Sequence, residues 1–342
     1  MTPIKILDGG LGTSLVDKYD VVFDEATPLW STHLIIDGQD TLQACQRDFV
    51  QAGADVLLTA TYQTSIEGFA RTKTPRHPDG ISKPEIGPYL SGAIDIAAKA
   101  ARGRREVQLA LSLGPYGACM IPSQEYTGDY DAAHGTEEAL YRWHLERFRL
   151  FTETEGVLER VQMMALETVP RIDEIRALRR AVAACGIALP FWISCVFPRD
   201  DGLLPDGSTM VQVVEAMLDP SVEGPVPWGI GINCTKMQKL PGLVRTMGSS
   251  VRQMLSQRRI PSAPSVVLYP DGVNGKVYNV TTKRWELSDD LIKAQSKTSW
   301  ASELARFAKD VRDMGIFSSV LVGGCCKSSA ADIAVLRHEL ES

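Results

Sequence analysis

The chain is 342 residues long, 44% hydrophobic and 23% charged, enough for one large barrel or two ordinary domains and too apolar for a disordered chain. A formal net charge of -6, a pI near 5.5 and the lack of any concentrated Lys/Arg block exclude nucleic acid or an anionic membrane as the main partner and leave a small molecule. No apolar run approaches the ~20 residues of a membrane span. The chain enters a strand-like run by Ile4 with no room for a targeting segment, and its seven cysteines fit reduced thiols better than a disulfide framework, so a cytoplasmic protein is expected.

In chain order, short apolar runs recur at 4–7, 56–59, 108–113, 163–167, 191–196, 229–233, 265–269 and 319–322. Amphipathic segments of helical spacing lie between them, at 41–51, 89–101, 137–155, 171–184, 208–218, 240–257, 300–314 and 330–340. Eight strands each followed by a helix predict an α/β chain folded as a (β/α)8 TIM barrel, one domain over 1–342, with the length beyond ~250 residues taken up in extended βα loops. A doubly wound sheet is the alternative; it more often divides a chain in two, and no composition shift marks a boundary. The longest loops, 71–88, 118–136 and 270–299, follow the second, third and seventh runs, so in a barrel they wall or cover the C-terminal face. Residues 276–287 alternate as a small hairpin within the last of them.

The chemistry-bearing residues fall just after the apolar runs: Asp8-Gly9-Gly10, Thr59 to Thr64, Gly114-Pro115-Tyr116-Gly117, Glu167-Thr168-Val169-Pro170, Asn233-Cys234 and Gly324-Cys325-Cys326. In a barrel these points share one rim, so thiols about ninety residues apart in sequence can meet there. Three thiols at strand ends suit zinc, which takes thiolates in tetrahedral sites and, in catalytic ones, keeps one position open. Two glycines before Cys325 let the backbone turn so that adjacent side chains, normally on opposite faces of a strand, reach one ion. Cys45, Cys119, Cys185 and Cys195 lack this context and read as small buried hydrophobes. A vicinal disulfide between Cys325 and Cys326 would demand strained geometry and leave Cys234 unexplained. Gly9, Gly10 and Gly12 lack the full spacing of a nucleotide loop, and the five scattered histidines, with His134 in a solvated loop, form no metal pattern.

Carried nearly end to end by Leu7-Asp8-Gly9-Gly10-Leu11-Gly12-Thr13, Leu113-Gly114-Pro115-Tyr116-Gly117, Glu167-Thr168-Val169-Pro170, Gly231-Ile232-Asn233-Cys234 and Gly323-Gly324-Cys325-Cys326, the sequence resembles the homocysteine S-methyltransferases. Its Gly-Pro-Tyr-Gly stretch with Thr127-Gly128-Asp129-Tyr130 is similar to the fungal and plant-like branch that uses S-methylmethionine or S-adenosylmethionine. The resemblance implies a zinc-dependent barrel enzyme that methylates homocysteine to methionine, with Zn2+ on Cys234, Cys325 and Cys326, which act in catalysis through the metal. That chemistry is coherent: free thiols, with pKa near ~8.5, are mostly protonated at neutral pH, and coordination removes the proton. It also implies that Asp8 and Glu167 pair with the ammonium of homocysteine while backbone amides near Gly9 and Gly10 receive its carboxylate. Trp30 and Tyr62 are candidates for the donor pocket, because aromatic faces attract a sulfonium as they attract quaternary ammonium. Thr59, Thr61 and Asn233 are polar contacts by position. The partners implied are the acceptor and the donor; the sequence leaves open which donor, betaine included, and the oligomeric state.

Two stretches depart from the family pattern. Where Pro-Asn-Ser-Gly-Glu is usual after the seventh strand, this chain has Pro270-Asp271-Gly272-Val273-Asn274, so the acidic position is lost or displaced; after the cysteine pair, Lys327-Ser328-Ser329 replaces Arg-Thr-Pro. Two other readings compete. A zinc hydrolase would use metal-bound water with Glu167 as base, which three anionic thiolates disfavour because they make that water less acidic. A non-catalytic metal-binding barrel would be supported by a fourth protein ligand.

Overall fold

The structure, a computed structural model, describes residues 2–24, 27–103, 106–272, 276–279, 284–287 and 299–342. Its strands are β1 (Ile4–Ile6), β2 (Val56–Leu58), β3 (Gln108–Leu113), β4 (Met163–Val169), β5 (Phe191–Cys195), β6 (Gly229–Lys236), β7 (Ser265–Asp271), β8 (Lys276–Asn279), β9 (Arg284–Leu287) and β10 (Val320–Val322). All but β8 and β9 form one parallel sheet in the order β1-β10-β7-β6-β5-β4-β3-β2. Its two ends meet: Leu7 bridges Val56 in parallel, and the amides of Asp55 and Asp8 donate to Ile6 and Val56 at 2.7 and 3.1 Å. The strand-helix alternation is thus a (β/α)8 barrel.

The helices are α1 (Leu11–Tyr19), α2 (Leu34–Asp37), α3 (Gln39–Gln51), α4 (Ile66–Arg71), α5 (Gly87–Ala101), α6 (Glu137–Thr152), α7 (Ile172–Ala184), α8 (Met210–Leu218), α9 (Leu240–Ser256), α10 (Trp300–Asp313) and α11 (Ala330–Glu341). Every helix expected from periodicity is present with ends moved by a few residues; α1, α2 and α4 were not expected. Helix α1 buries only Gly12, Thr13 and Leu15, so it has no apolar stripe to read, and α4 is a short turn capped by Ser65, whose Oγ accepts from the Gly68 amide at 3.0 Å. The hairpin expected at 276–287 is the antiparallel pair β8 and β9; residues 273–275, 280–283 and 288–298 of that expected loop lie outside the described residues.

Barrel strands are covered on both faces, and all of β4 is buried. Met164 and Leu166 face the helices, whereas Met163 and Ala165 face the lumen with Leu7, Val56, Ala110, Trp192, Val267, Tyr269 and Leu321. Trp192 is the largest buried side chain and plugs the barrel, its Nε1 donating to the Tyr269 hydroxyl at 3.1 Å. Two residues further along each strand the same alternation turns the lumen polar: Ser112 follows Ala110, Glu167 follows Ala165, Ser194 follows Trp192, and Asn233 follows Gly231. This polar layer is the floor of the C-terminal face.

Candidate active site

Cys234 in β6, Asp271 at the end of β7, and Cys325 and Cys326 just after β10 each bring one ligand atom within 4.8 Å of the others. Two strand irregularities aim them. The β6/β7 register shifts between Asn233 and Lys236, where Cys234 takes φ +47°, and the β4/β5 register shifts between Leu166 and Val169, where Thr168 takes φ +59°. A left-handed residue other than glycine costs ~1–2 kcal/mol, and bulges of this kind re-aim side chains beside active sites. Asn233 clamps both turns: its Oδ1 accepts from the Thr168 amide at 2.8 Å, and its Nδ2 donates to Thr168 Oγ1 at 2.7 Å and to Cys234 Sγ at 3.3 Å. Its amide, expected to contact substrate, is occupied in positioning a thiol.

Gly323 and Gly324 serve by close approach. A Cβ on Gly323 would lie 2.6 Å from the Asp8 carbonyl, and one on Gly324 would lie 2.0 Å from Ser328 Oγ. The strands on either side then tie the cysteine turn down: the Gly324 amide donates to Asp8 O at 3.0 Å and the Cys325 amide to Pro270 O at 2.9 Å. In this cluster Cys326 is pulled well below the ordinary thiol range by hydrogen bonds from Cys234 and Cys325, while Cys325 is pushed up by those same two neighbours and by burial. Three sulfurs gathered at one point are the donor set of a thiophilic, tetrahedral metal such as zinc. Asp271 Oδ1 is shielded from solvent with no hydrogen-bond partner, which fits a site completed by a cation.

Asp8 and Glu167 stand beside this cluster. Asp8 Oδ2 accepts from the Leu58 amide at 2.8 Å, whereas Oδ1 is buried and unpartnered. Burial, with the neighbouring Glu167 charge adding to it, holds the Asp8 carboxyl well above the usual carboxylate range. Burial likewise pushes Glu167 up to about 7, against hydrogen bonds from Ser112 and Tyr269 that favour its anion. Tyr62 lies over Gly114, where a Cβ would come within 2.6 Å of its ring, and its hydroxyl, pushed up first by burial, senses Glu125, Cys234 and Glu167.

Other expectations are corrected by the structure. The Gly10 amide donates to Ser328 O and Oγ at 2.9 and 3.1 Å and so is not free for a substrate carboxylate; Gly9 packs against Phe49 and Ser328. Thr59 and Thr61 bond each other at 2.6 Å and the β3 backbone at Ser112, so they fix the barrel rim. Trp30, at φ +46°, covers Gly12 in the first turn of α1 and packs on Phe23 at 5.7 Å. His134 is stacked on Tyr116 at 4.1 Å and bonded to Asp131 at 2.9 Å rather than solvated. Cys119 and Cys185 are half-buried, their thiols donating to Gln63 and Leu145 carbonyls.

Three residues escaped the sequence reading. Asp271 continues the inward alternation of Val267 and Tyr269, a signal that was present. Glu125 and Tyr126 lie in a loop without periodicity: Tyr126 Oη stands 3.9 Å from Cys326 Sγ, and burial pushes Glu125 up to about 7, with its Oε2 shielded and unpartnered.

Comparison with known proteins bears directly on this arrangement. The family model described as homocysteine S-methyltransferase matches residues 5–340. The chain belongs to the homocysteine S-methyltransferase family. It is 28% identical to homocysteine S-methyltransferase 2 of Zea mays, the match covering 98% of this chain and 89% of the relative. It is also 28% identical to homocysteine S-methyltransferase YbgG of Bacillus subtilis, over 97% and 92%. In fold it is similar to the Escherichia coli homocysteine methyltransferase MmuM, crystallised in a metallated form, with a TM-score of 0.68, 24% identity and coverage of 99% and 96%. As a homocysteine S-methyltransferase family member the protein is an enzyme of the methyltransferase class. Among the described residues no helix is long and apolar enough to cross a membrane.

Proposed function

We propose that the protein moves a methyl group from a sulfonium donor, S-methylmethionine or S-adenosylmethionine, to the thiol of homocysteine, giving methionine, with Zn2+ on Cys234, Cys325 and Cys326. The observation that carries this reading is the meeting of three thiols from two strand ends beside two buried carboxylates with unmet demand for positive charge. Bound at the cysteines, zinc supplies the acidity that turns a thiol into a thiolate near neutral pH. The chain's own residues do the rest. Glu167 and Asp8 receive the substrate ammonium, which reverses the burial penalty on their anionic forms. Asn233 holds Cys234 in its left-handed turn, so that the sulfur stays aimed at the metal. Tyr62 offers an aromatic face to the donor cation. A sulfonium departs as a neutral thioether, so no protein acid is required for the leaving group. One barrel over the whole chain carries the reaction, with small molecules as its partners. All seven cysteines are free, which fits a reducing cytoplasm.

The test is direct: zinc-loaded protein is incubated with homocysteine and, in separate tubes, S-methylmethionine, S-adenosylmethionine or betaine, and methionine is measured. Product with a sulfonium donor is expected. No product in any tube would overturn the acceptor assignment, and product from betaine alone would overturn the donor assignment.

A further inference from the structure

We propose that Glu125 is the residue that selects the methyl donor, its carboxylate pairing with the α-ammonium of an amino-acid sulfonium. This rests on the thiol methyl-transfer reading above. Glu125 lies in the loop between β3 and α6, next to Tyr126, whose hydroxyl stands 3.9 Å from Cys326 Sγ. Glu125 Oε2 is shielded from solvent and has no hydrogen-bond partner among the described residues. Burial pushes this carboxyl up to about 7, against hydrogen bonds from its own amide and from Ser123 that favour the anion. The loop is built to hold it there. The Gln124 amide donates to Gly117 O and the Gly128 amide to Gln124 O, each at 2.8 Å. Glu174 in α7, wholly buried, fastens both ends of the loop: its Oε1 accepts from the Tyr116 amide at 2.7 Å and its Oε2 from the Tyr130 hydroxyl at 2.5 Å. A carboxylate placed by two backbone turns and a buried anchor, with one oxygen left unmatched, is set to receive a cation.

The reaction offers three cations: the homocysteine ammonium, the sulfonium and the ammonium of the donor. The first is assigned above to Asp8 and Glu167, which are neighbouring charges; Glu125 neighbours Cys326 instead, and the Tyr62 hydroxyl lies within reach of both Glu125 and Glu167. The second is disfavoured by energetics. In the transfer the bond from the donor sulfur to its methyl breaks, a bond from the homocysteine sulfur to that methyl forms, and the electron pair left on the donor sulfur makes it a neutral thioether. A carboxylate on the sulfonium would hold the reactant more tightly than the transition state and slow the step. The donor ammonium, three carbons from the sulfur in S-methylmethionine and S-adenosylmethionine, keeps its charge throughout. Pairing it strengthens binding equally before and during transfer, and leaves the weaker aromatic face of Tyr62 to attend the charge that disappears. Betaine has no N–H and gives Glu125 nothing to hydrogen-bond.

Calorimetry on the zinc-loaded protein saturated with 2-aminobutyrate tests this, because the acceptor site is then filled and no transfer occurs. S-methylmethionine should bind Glu125→Gln roughly ten- to a hundred-fold more weakly than wild type. Its analogue 4-dimethylsulfoniobutyrate, which is the same molecule without the ammonium, should bind wild type weakly and the variant no worse. Zinc content and 2-aminobutyrate affinity should match wild type, which shows that the variant is folded. In turnover the variant's KM for S-methylmethionine should rise by the same factor, with kcat within about two-fold of wild type. Equal weakening of both sulfonium compounds would put Glu125 on the sulfonium and overturn the assignment, as would a loss confined to 2-aminobutyrate. Methionine formation with an unchanged KM for S-methylmethionine in Glu125→Gln would overturn the assignment and leave the methyl-transfer reading intact. S-methylmethionine bound through Glu125 in a protein that makes no methionine from any donor would overturn the methyl-transfer reading and leave the subsite standing.

Discussion

Replacing Glu167 by Gln should make the protein more stable and less able to hold an amino acid, with both effects following one titration. Glu167 sits in the barrel lumen with Oε1 accepting from Ser112 Oγ at 2.5 Å, and burial lifts its carboxyl from 4.5 to about 7. A carboxyl raised on folding favours the folded state at low pH. As pH climbs from 4.5 toward 7 the unfolded chain ionises while the folded one keeps its proton, so that contribution is lost; above 7 the deficit is constant. At ~1.4 kcal/mol per pH unit the deficit is at most roughly 3 kcal/mol. Gln keeps the shape and the acceptor for Ser112 but cannot ionise. Urea denaturation should therefore show a small gain for Glu167→Gln at pH 5 and a gain of up to roughly 3 kcal/mol at pH 8. Binding is read with 2-aminobutyrate, which brings the ammonium but no thiol. The ionised fraction of a carboxyl near 7 rises from about 9% at pH 6 to about 91% at pH 8, so wild-type affinity should improve about ten-fold over that range. The variant should bind weakly and without the slope. A variant less stable than wild type at pH 8 would make Glu167 a structural residue, and a retained slope would move the ammonium contact to another carboxylate.

Cys326→Ser should lower zinc from about one per chain to a small fraction and abolish methionine formation with it; metal analysis after gel filtration checks this, and an active zinc-free variant would contradict it. Arg147 is buried, its guanidinium donating to Thr64, Tyr62 and Gly114 carbonyls at 2.6, 2.6 and 2.5 Å. Arg147→Met should cost roughly 3–5 kcal/mol by urea unfolding, and Arg147→Lys should recover only part, because one ammonium cannot span the planar fork. Asn233→Ala leaves the Thr168 amide unpaired and should cost about 1–3 kcal/mol. It should also speed zinc loss to a chelator; zinc retention equal to wild type would show that the clamp on Cys234 is dispensable.

The barrel was legible because its strands are covered on both faces and its helices on one, so apolar runs and amphipathic segments alternate cleanly from Ile4 to Glu341. The thiol trio was legible because Cys325 and Cys326 sit next to glycines that only close backbone approach explains. What stayed hidden depends on backbone geometry that residue type does not announce. Thr168 and Cys234 adopt the left-handed region although neither is glycine or asparagine, and Asn233, which makes this possible, reads as a binding residue from its position alone. The acidic position after the seventh strand, read as lost or displaced, has a carboxylate facing the thiols at Asp271. Glu125 and Tyr126 reach the cluster from a loop whose path no periodicity encodes.

Asp8, Glu125, Glu167 and Asp271 all have carboxyls pushed up chiefly by burial, and among the described residues none forms an ion pair with Lys, Arg or His. Selection for stability alone would not retain four such groups on one rim, because each makes the fold weaker as pH rises. The buried cations of this chain are placed elsewhere: Arg147 and Arg179 spend their donors on backbone carbonyls that fix the loops, Arg179 bonding those of Ala216, Asp219, Val222, Gly224 and Pro225. Lys236 acts on Asp271 only through its field, so the positive charge that pairs with these carboxylates is expected to arrive with ligands, and the three proposed here, a metal ion, an ammonium group and a sulfonium, are all cationic. Metal and amino acid should accordingly raise the melting temperature more at pH 8 than at pH 6, since it is the ionised carboxylates that they relieve.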